Sequence, residues 1–184
     1  LANRPASLAS IIGTEGFQNS LQVTKTWHLR TPEKSDLAVI DTPAGLTRQE
    51  LISATRGADA ILIPVMPSDI DIHAVMKCIS DLLLVAKIPR PDLKIGIIAN
   101  RVRANTRVYG QLKKFLSSLD IPVVATLRDS QNYTRAFEFG MGIHEMPFSQ
   151  VKKDIDAWSD IMGWLDRLRE RNLGQPSAIH YLRG

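Results

Sequence analysis

Leu37-Ala38-Val39-Ile40, followed directly by Asp41-Thr42-Pro43-Ala44-Gly45, is the stretch on which the fold turns. A short continuous apolar run predicts a buried strand of a parallel sheet, covered by helices on both faces. A carboxylate at the carboxyl end of such a strand stands where open α/β sheets bind ligands. Pro43 and Gly45 beyond it form a turn whose backbone can approach a phosphate closely. A second reading is equally open at this point: Asp41 caps a turn at a strand end and does nothing more.

Outward from that stretch, strand-like and helix-like segments alternate. Thr47 caps a helix to about Arg56, stopped by Gly57. Ala60 to Val65 is a second buried strand. Ser68, Asp69 and Asp71 cap the helix that continues to about Ala86. Pro89 and Pro91 precede a third strand, Lys94 to Ala99; a basic loop and a helix, Val108 to Leu119, come next. Pro122 to Thr126 is the fourth strand, and a helix over Tyr133 to Phe139 closes at Gly140. A last helix, Gln150 to Arg171, sets Ile155, Trp158, Met162 and Leu165 on one face. Before Leu37 there is one plausible helix, Ala6 to Ile12, and one alternating stretch, Leu21 to Trp27. Repeated strand–helix units imply an α/β fold with a mostly parallel sheet, flanked by helices and joined by right-handed crossovers.

Composition fits one globular domain: 184 residues, 44% hydrophobic and 23% charged. No apolar run is long enough for a bilayer, and none reads as a signal peptide. A lone Cys78 among Met76, Ile79, Leu82 and Leu83 is expected to be a buried, inert thiol, and one cysteine makes no disulfide framework. The four histidines have no metal-ligand spacing. Together these features point to the cytoplasm. The charge is uneven. From Leu93 to Leu119 there are six basic residues (Lys94, Arg101, Arg103, Arg107, Lys113, Lys114) and no acid, which leaves the rest at −2 of a total of +4. Such a patch is a footprint for a polyanion, or else a solvated basic face.

The order of motifs resembles ParA-type ATPases of the deviant-Walker group that includes MinD. Val39 to Gly45 is similar to that family's Walker B and switch II strand, and Ala58 to Val65 with Pro67-Ser68 to its next strand and exit. Ile97-Ile98-Ala99-Asn100-Arg101-Val102 resembles the strand whose terminal Asn reads adenine. Ile121 to Val124, Leu127-Arg128-Asp129 and Ala136 to Gly140 resemble the closing strand and the nucleotide-side helix. The likeness runs from Leu37 to Glu145, about three-fifths of the chain. It implies ATP with Mg²⁺ as cofactors of the intact protein. Asp41 would assist the metal through a water, Gly45 would sense the γ-phosphate, and Pro43, Ala44, Asn100 and Arg101 would lie at the nucleotide. It also implies an ATP-dependent homodimer, nonspecific DNA bound through Arg103, Arg107, Lys113 and Lys114, and a ParB-like or cargo-adaptor partner. The cellular role would be plasmid or chromosome partition, or cargo positioning, on the nucleoid.

The departure from the family concerns its first nucleotide-binding unit. None of the eleven glycines is followed by lysine, so no Gly-Lys-Ser/Thr exists, and Gly13-Thr14-Glu15-Gly16 carries an acid where phosphate needs cations. Residues 1–36 therefore read as a remnant N-terminal segment, 37–172 as the ParA-like α/β domain and 173–184 as a mobile tail. The chain alone is expected to hold no nucleotide tightly and to be inactive by itself. Two alternatives stand beside the partition ATPase: a non-catalytic binding module that has lost ATP, and a MinD-like membrane-associated ATPase. The membrane reading is disfavoured because Gln175 to Gly184 is not a basic amphipathic helix.

Overall fold

The computed structural model describes residues 39–42, 45–88 and 94–173. Leu37, Ala38, Pro43, Ala44, the helix and the alternating stretch expected before Leu37, and the C-terminal tail lie outside the described residues. The chain divides into two compact units, Leu1–Gly57 and Ala58–Gly184.

In the first unit, helix α1 spans Arg48–Thr55. Its start is a reciprocal cap. Thr47 Oγ1 accepts from Glu50 N at 3.4 Å, and Thr47 N donates to Glu50 Oε2 at 2.8 Å, so two end amides find partners. The Thr47 hydroxyl, donating to Glu50 Oε2 at 2.7 Å, and then the Thr47 N–H hold the Glu50 carboxyl below its usual range. Gly57, at φ +78°, turns the chain out of the helix in a conformation that disfavours any Cβ. The strand expected over Leu37–Thr42 is not formed by its described part. Val39 and Ile40 are 65% and 48% exposed, and residues 39–42 have no strand partner among the described residues. An apolar run sets burial only when a neighbouring ladder and covering helices exist, and hydrophobicity alone supplies neither.

In the second unit the elements run β1 (Ile61–Val65), α2 (Asp69–Leu84), β2 (Ile95–Val102), α3 (Arg107–Leu116), β3 (Val123–Arg128) and α4 (Gln131–Glu138). A single 3-10 turn, Ile143–Glu145, leads into the long α5 (Phe148–Leu173). The three strands form a parallel sheet in the order β1-β2-β3. Right-handed crossovers between strands in sequential order put α2 and α3 on one face. Helix α5 packs on β3 from the other.

Central strand β2 is buried without interruption from Ile95 to Ala99, as a strand covered on both faces must be. Ile98, Ala125, Leu127 and Ile161 make the core beneath α5, with Leu62, Val124, Trp158 and Leu165 packed around them. Close approach there depends on Gly96. A Cβ at that position would overlap Val124 Cγ2 and sit 3.0 Å from Trp164 Cζ2. The buried stripe of α5 is Val151, Asp154, Ile161, Trp164 and Leu168, not the expected face: Met162 is 45% exposed, and Trp158 and Leu165 lie at its flank. Trp164 has turned onto the gap left by Gly96, and Asp154 has turned onto β3. Cys78 is half-buried, and burial pushes its thiol up.

Gly96→Ala is expected to destabilise the protein by about 1–3 kcal/mol, the usual cost of overpacking a filled core. Urea or thermal melts measure this directly, and an unchanged midpoint would mean that Trp164 does not lie against β2.

Candidate functional site at the carboxyl edge of the sheet

Ligands of open parallel sheets bind beyond the carboxyl ends of the strands, and that edge is where β2 departs from regular geometry. Ala99 pairs with Thr126 and Val102 with Arg128, so Asn100 and Arg101 together oppose the single residue Leu127. This is a bulge, and Arg101 occupies it at φ +50°. A side chain at positive φ strains the backbone by about 1–2 kcal/mol. Part of that strain is offset locally: Asn100 Oδ1 accepts the Arg101 N–H at 3.0 Å. That bond fixes which way the Asn100 amide faces.

The bulge aims Arg101 at the loop after β3. Arg101 Nε lies 3.3 Å from Asp129 Oδ1, and Arg103 Nε donates to Asp129 Oδ2 at 2.7 Å. One carboxylate is thus shared by two guanidiniums, which hold it below the usual carboxylate range, Arg103 more strongly than Arg101. The Asp129 N–H donates to Val102 O at 2.9 Å, extending the β2–β3 ladder past the bulge. Asp129 is only 20% exposed, whereas Arg101 and Arg103 are 65% and 75% exposed.

Arg128, the residue before Asp129, holds a second charged group of a different kind. Asp154 is fully buried within the apolar stripe of α5. Arg128 grips it through two bonds, Nε to Oδ1 at 2.7 Å and Nη2 to Oδ2 at 2.8 Å, and Asn132 Nδ2 adds a third at 2.7 Å. Burial alone would push the Asp154 carboxyl up. The bonds from Arg128, Asn132 and Ser130 outweigh it and hold the group below its usual range. Ser130 also caps α4, accepting from the Asn132 N–H at 3.2 Å. The network therefore pins β3, α4 and α5 together directly under the candidate edge.

The basic run divides into groups once folded. Arg101 and Arg103 belong to the Asp129 clasp. Arg107 opens α3 behind the Thr106 cap. Arg107, Gly110, Gln111 and Lys114 share one exposed face of that helix at successive three- and four-residue spacings. Lys113 points away from them, its Nζ 5.0 Å above the Tyr109 ring. Asp41 is exposed in the first unit, and Gly45 there takes φ +76° in a turn, as a glycine in this position permits. Pro43 and Ala44 lie outside the described residues. The motif reading missed the clasp, although it quoted Asp129. It also missed Asp154, whose signal was a lone acid in phase with the apolar residues of the last helix.

With the fold and edge in view, the chain has a MinD-like α/β fold. No family model matches it. Over 112 residues, 60% of this chain, it is 26% identical to the Maintenance of carboxysome distribution protein A of Halothiobacillus neapolitanus, of which it spans 51%. The MinD cell division protein of Aquifex aeolicus superposes with a TM-score of 0.52 at 18% identity, over 81% of this chain and 58% of that one. The sequence relative and the structural match agree with the resemblance read from the ordered motifs, and the MinD likeness establishes the fold. The chain spans about half the length of the relatives it matches.

The described residues fit the family's nucleotide only in part. Asn100 stands at the end of the central strand, where a base can be read. No Gly-Lys-Ser/Thr loop exists in the sequence, and among the described residues no group of three or more His, Cys, Asp or Glu could hold a metal ion. No described helix is long and apolar enough to cross a membrane.

Two outcomes test this edge. Arg101→Val should lower stability by about 1–2 kcal/mol, because a branched Cβ resists positive φ, whereas Arg101→Gly should cost less or stabilise; equal melts for the two would remove the bulge strain. Asp154→Asn should cost about 1–3 kcal/mol at neutral pH through weakened charged bonds. Because the folded pKa is depressed, that contribution is complete above the unfolded value of about 3.9 and disappears as pH falls through the folded value. Urea melts of both proteins should converge in acid, and a gap independent of pH would mean that the charge of Asp154 contributes nothing.

Proposed function

We propose that this chain is the base-side and surface-binding portion of a ParA/MinD-like positioning ATPase. The observation that carries this reading is the bulged end of β2, where Asn100 and Arg101 stand at the carboxyl edge of a parallel sheet in the motif order of that family. The name of the Halothiobacillus relative, a protein of carboxysome distribution, favours cargo positioning over plasmid partition. In this reading each chain contacts DNA phosphates without reading sequence, ATP with Mg²⁺ drives a homodimerisation that adds avidity, and a ParB-like or adaptor protein releases the DNA. Asn100 contributes base recognition. Asp41 and Gly45 contribute at the metal and the γ-phosphate only when a phosphate-binding loop accompanies them. The cations of α3, Arg107 and Lys114 first, supply the DNA contacts.

A second reading, a ParA-like binding module without ATP, is favoured by one observation, the absence of any Gly-Lys pair in the sequence. Calorimetric and NMR titrations of the chain separate the two halves of the proposal. Mg-ATP should bind more weakly than micromolar, adenosine should bind about as well as ATP, and Asn100→Ala should abolish both. Micromolar ATP binding would reveal a phosphate site elsewhere in the chain. Adenosine binding that survives Asn100→Ala would remove Asn100 from base recognition.

A further inference from the structure

The basic run does not fold into one continuous surface, and its charges are not equally available. On α3, Arg107 and Lys114 flank Gly110 and Gln111 on a solvent-exposed face. At the end of β2, Arg101 and Arg103 are each tied through Nε to the single carboxylate of Asp129. The two groups adjoin, because Thr106 Oγ1 donates to Arg103 O at 2.9 Å and Thr106 caps the helix that Arg107 opens. Two guanidiniums on one carboxylate leave one net positive charge, and both arginines remain more than half exposed. An arginine fork meets a phosphate bidentately through Nε together with a terminal nitrogen, and in both arginines Nε is engaged by Asp129.

We infer that Asp129 is an internal competitor for the phosphodiester backbone: it holds Arg101 and Arg103 away from duplex DNA, and their release adds two phosphate contacts to those of Arg107 and Lys114. This inference rests on the DNA reading proposed above and assigns its regulation. The backbone arrangement gives the clasp a means of opening. Arg101 is held at positive φ in a bulge, so its side chain is presented by a strained turn rather than by a regular ladder. Its bond to Asp129 is the longer of the two, 3.3 Å against 2.7 Å, so Arg101 is the first to exchange. Surface ion pairs of this exposure are weak enough for a polyanion to displace. Because Asp129 also donates its backbone N–H to Val102 O, the carboxylate stays at the edge when the arginines leave.

The test is duplex DNA of random sequence, titrated by fluorescence anisotropy over a salt series. Asp129→Asn should bind several-fold more tightly than the wild type, with a log–log salt slope steeper by roughly one to two units. Removing any acid would strengthen binding somewhat, so the cycle with Arg103→Gln decides: Arg103→Gln should cost little in the wild type and several-fold in the Asp129→Asn background. If Asp129→Asn does not melt cooperatively, Asp129→Ser takes its place in the same cycle. Equal effects of Arg103→Gln in both backgrounds would overturn the inference. If Arg107→Gln/Lys114→Gln weakens binding while Asp129→Asn leaves affinity and slope unchanged, the DNA reading stands and the clasp is overturned. No duplex binding by any variant at low salt overturns both. Tighter binding of Asp129→Asn to anionic vesicles and not to duplex would overturn the inference in favour of a lipid surface.

Discussion

Burial of β2 on both faces is the constraint from which the second unit is built. Five consecutive residues, Ile95 to Ala99, are removed from water, and each large apolar side chain so buried contributes about 1.5–3 kcal/mol. A strand with no wet face cannot lie at the edge of an uncovered sheet. It takes β1 and β3 as neighbours and requires helices above and below. On one side the crossovers supply them. On the other, α5 must come close, and it does so where Gly96 has no side chain to obstruct Trp164.

That packing brings a cost, and the charged groups beneath the edge answer it. A helix stripe that includes Asp154 would bury an unpaired carboxylate, a penalty of several kcal/mol. Arg128, Asn132 and Ser130 surround it with donors. The same bonds lock α4 and α5 to the end of β3. Asp129, the next residue after Arg128, is then fixed at the rim facing the bulge of β2. Arg128, which sets the framework, and Asp129, which makes the clasp, are thus consecutive in sequence, and the two pairs differ in kind. The first is bidentate, on a fully buried carboxylate. The second is a shared, half-wet contact that another anion can contest.

The ParA/MinD-like fold gives this arrangement a setting. The curated relative and the solved structure extend well beyond the length matched here, at 51% and 58% of their chains. What the described residues provide is the side of the sheet edge formed by β2 and β3, together with the basic helix that follows β2. Asp41 and Gly45 belong to the other compact unit.

Local chemistry made much of this legible from the residues alone. Thr47, Ser68 with Asp71, and Gly57 and Gly140 marked helix ends correctly, because caps and left-handed turns are properties of a few adjacent residues. The runs Ala60–Val65 and Lys94–Ala99 read as buried strands for the same reason, their short continuous hydrophobicity, and the strands form over Ile61–Val65 and Ile95–Val102. The order of motifs was enough to indicate the family resemblance. The failures all required a partner distant in sequence. Val39 and Ile40 are as apolar as any strand, yet pairing is a property of two segments, and the described residues give them none. The buried face of α5 differs from the expected one and carries Asp154 in phase with Val151, Ile161 and Leu168, and its partner Arg128 lies 26 residues away in sequence. The basic run counted six like charges in a line. Only the tertiary structure decided that Lys94 reaches the Ala58 carbonyl, two share Asp129, one stacks on Tyr109, and two remain together on a helix face, because electrostatic partners are chosen by distance in space.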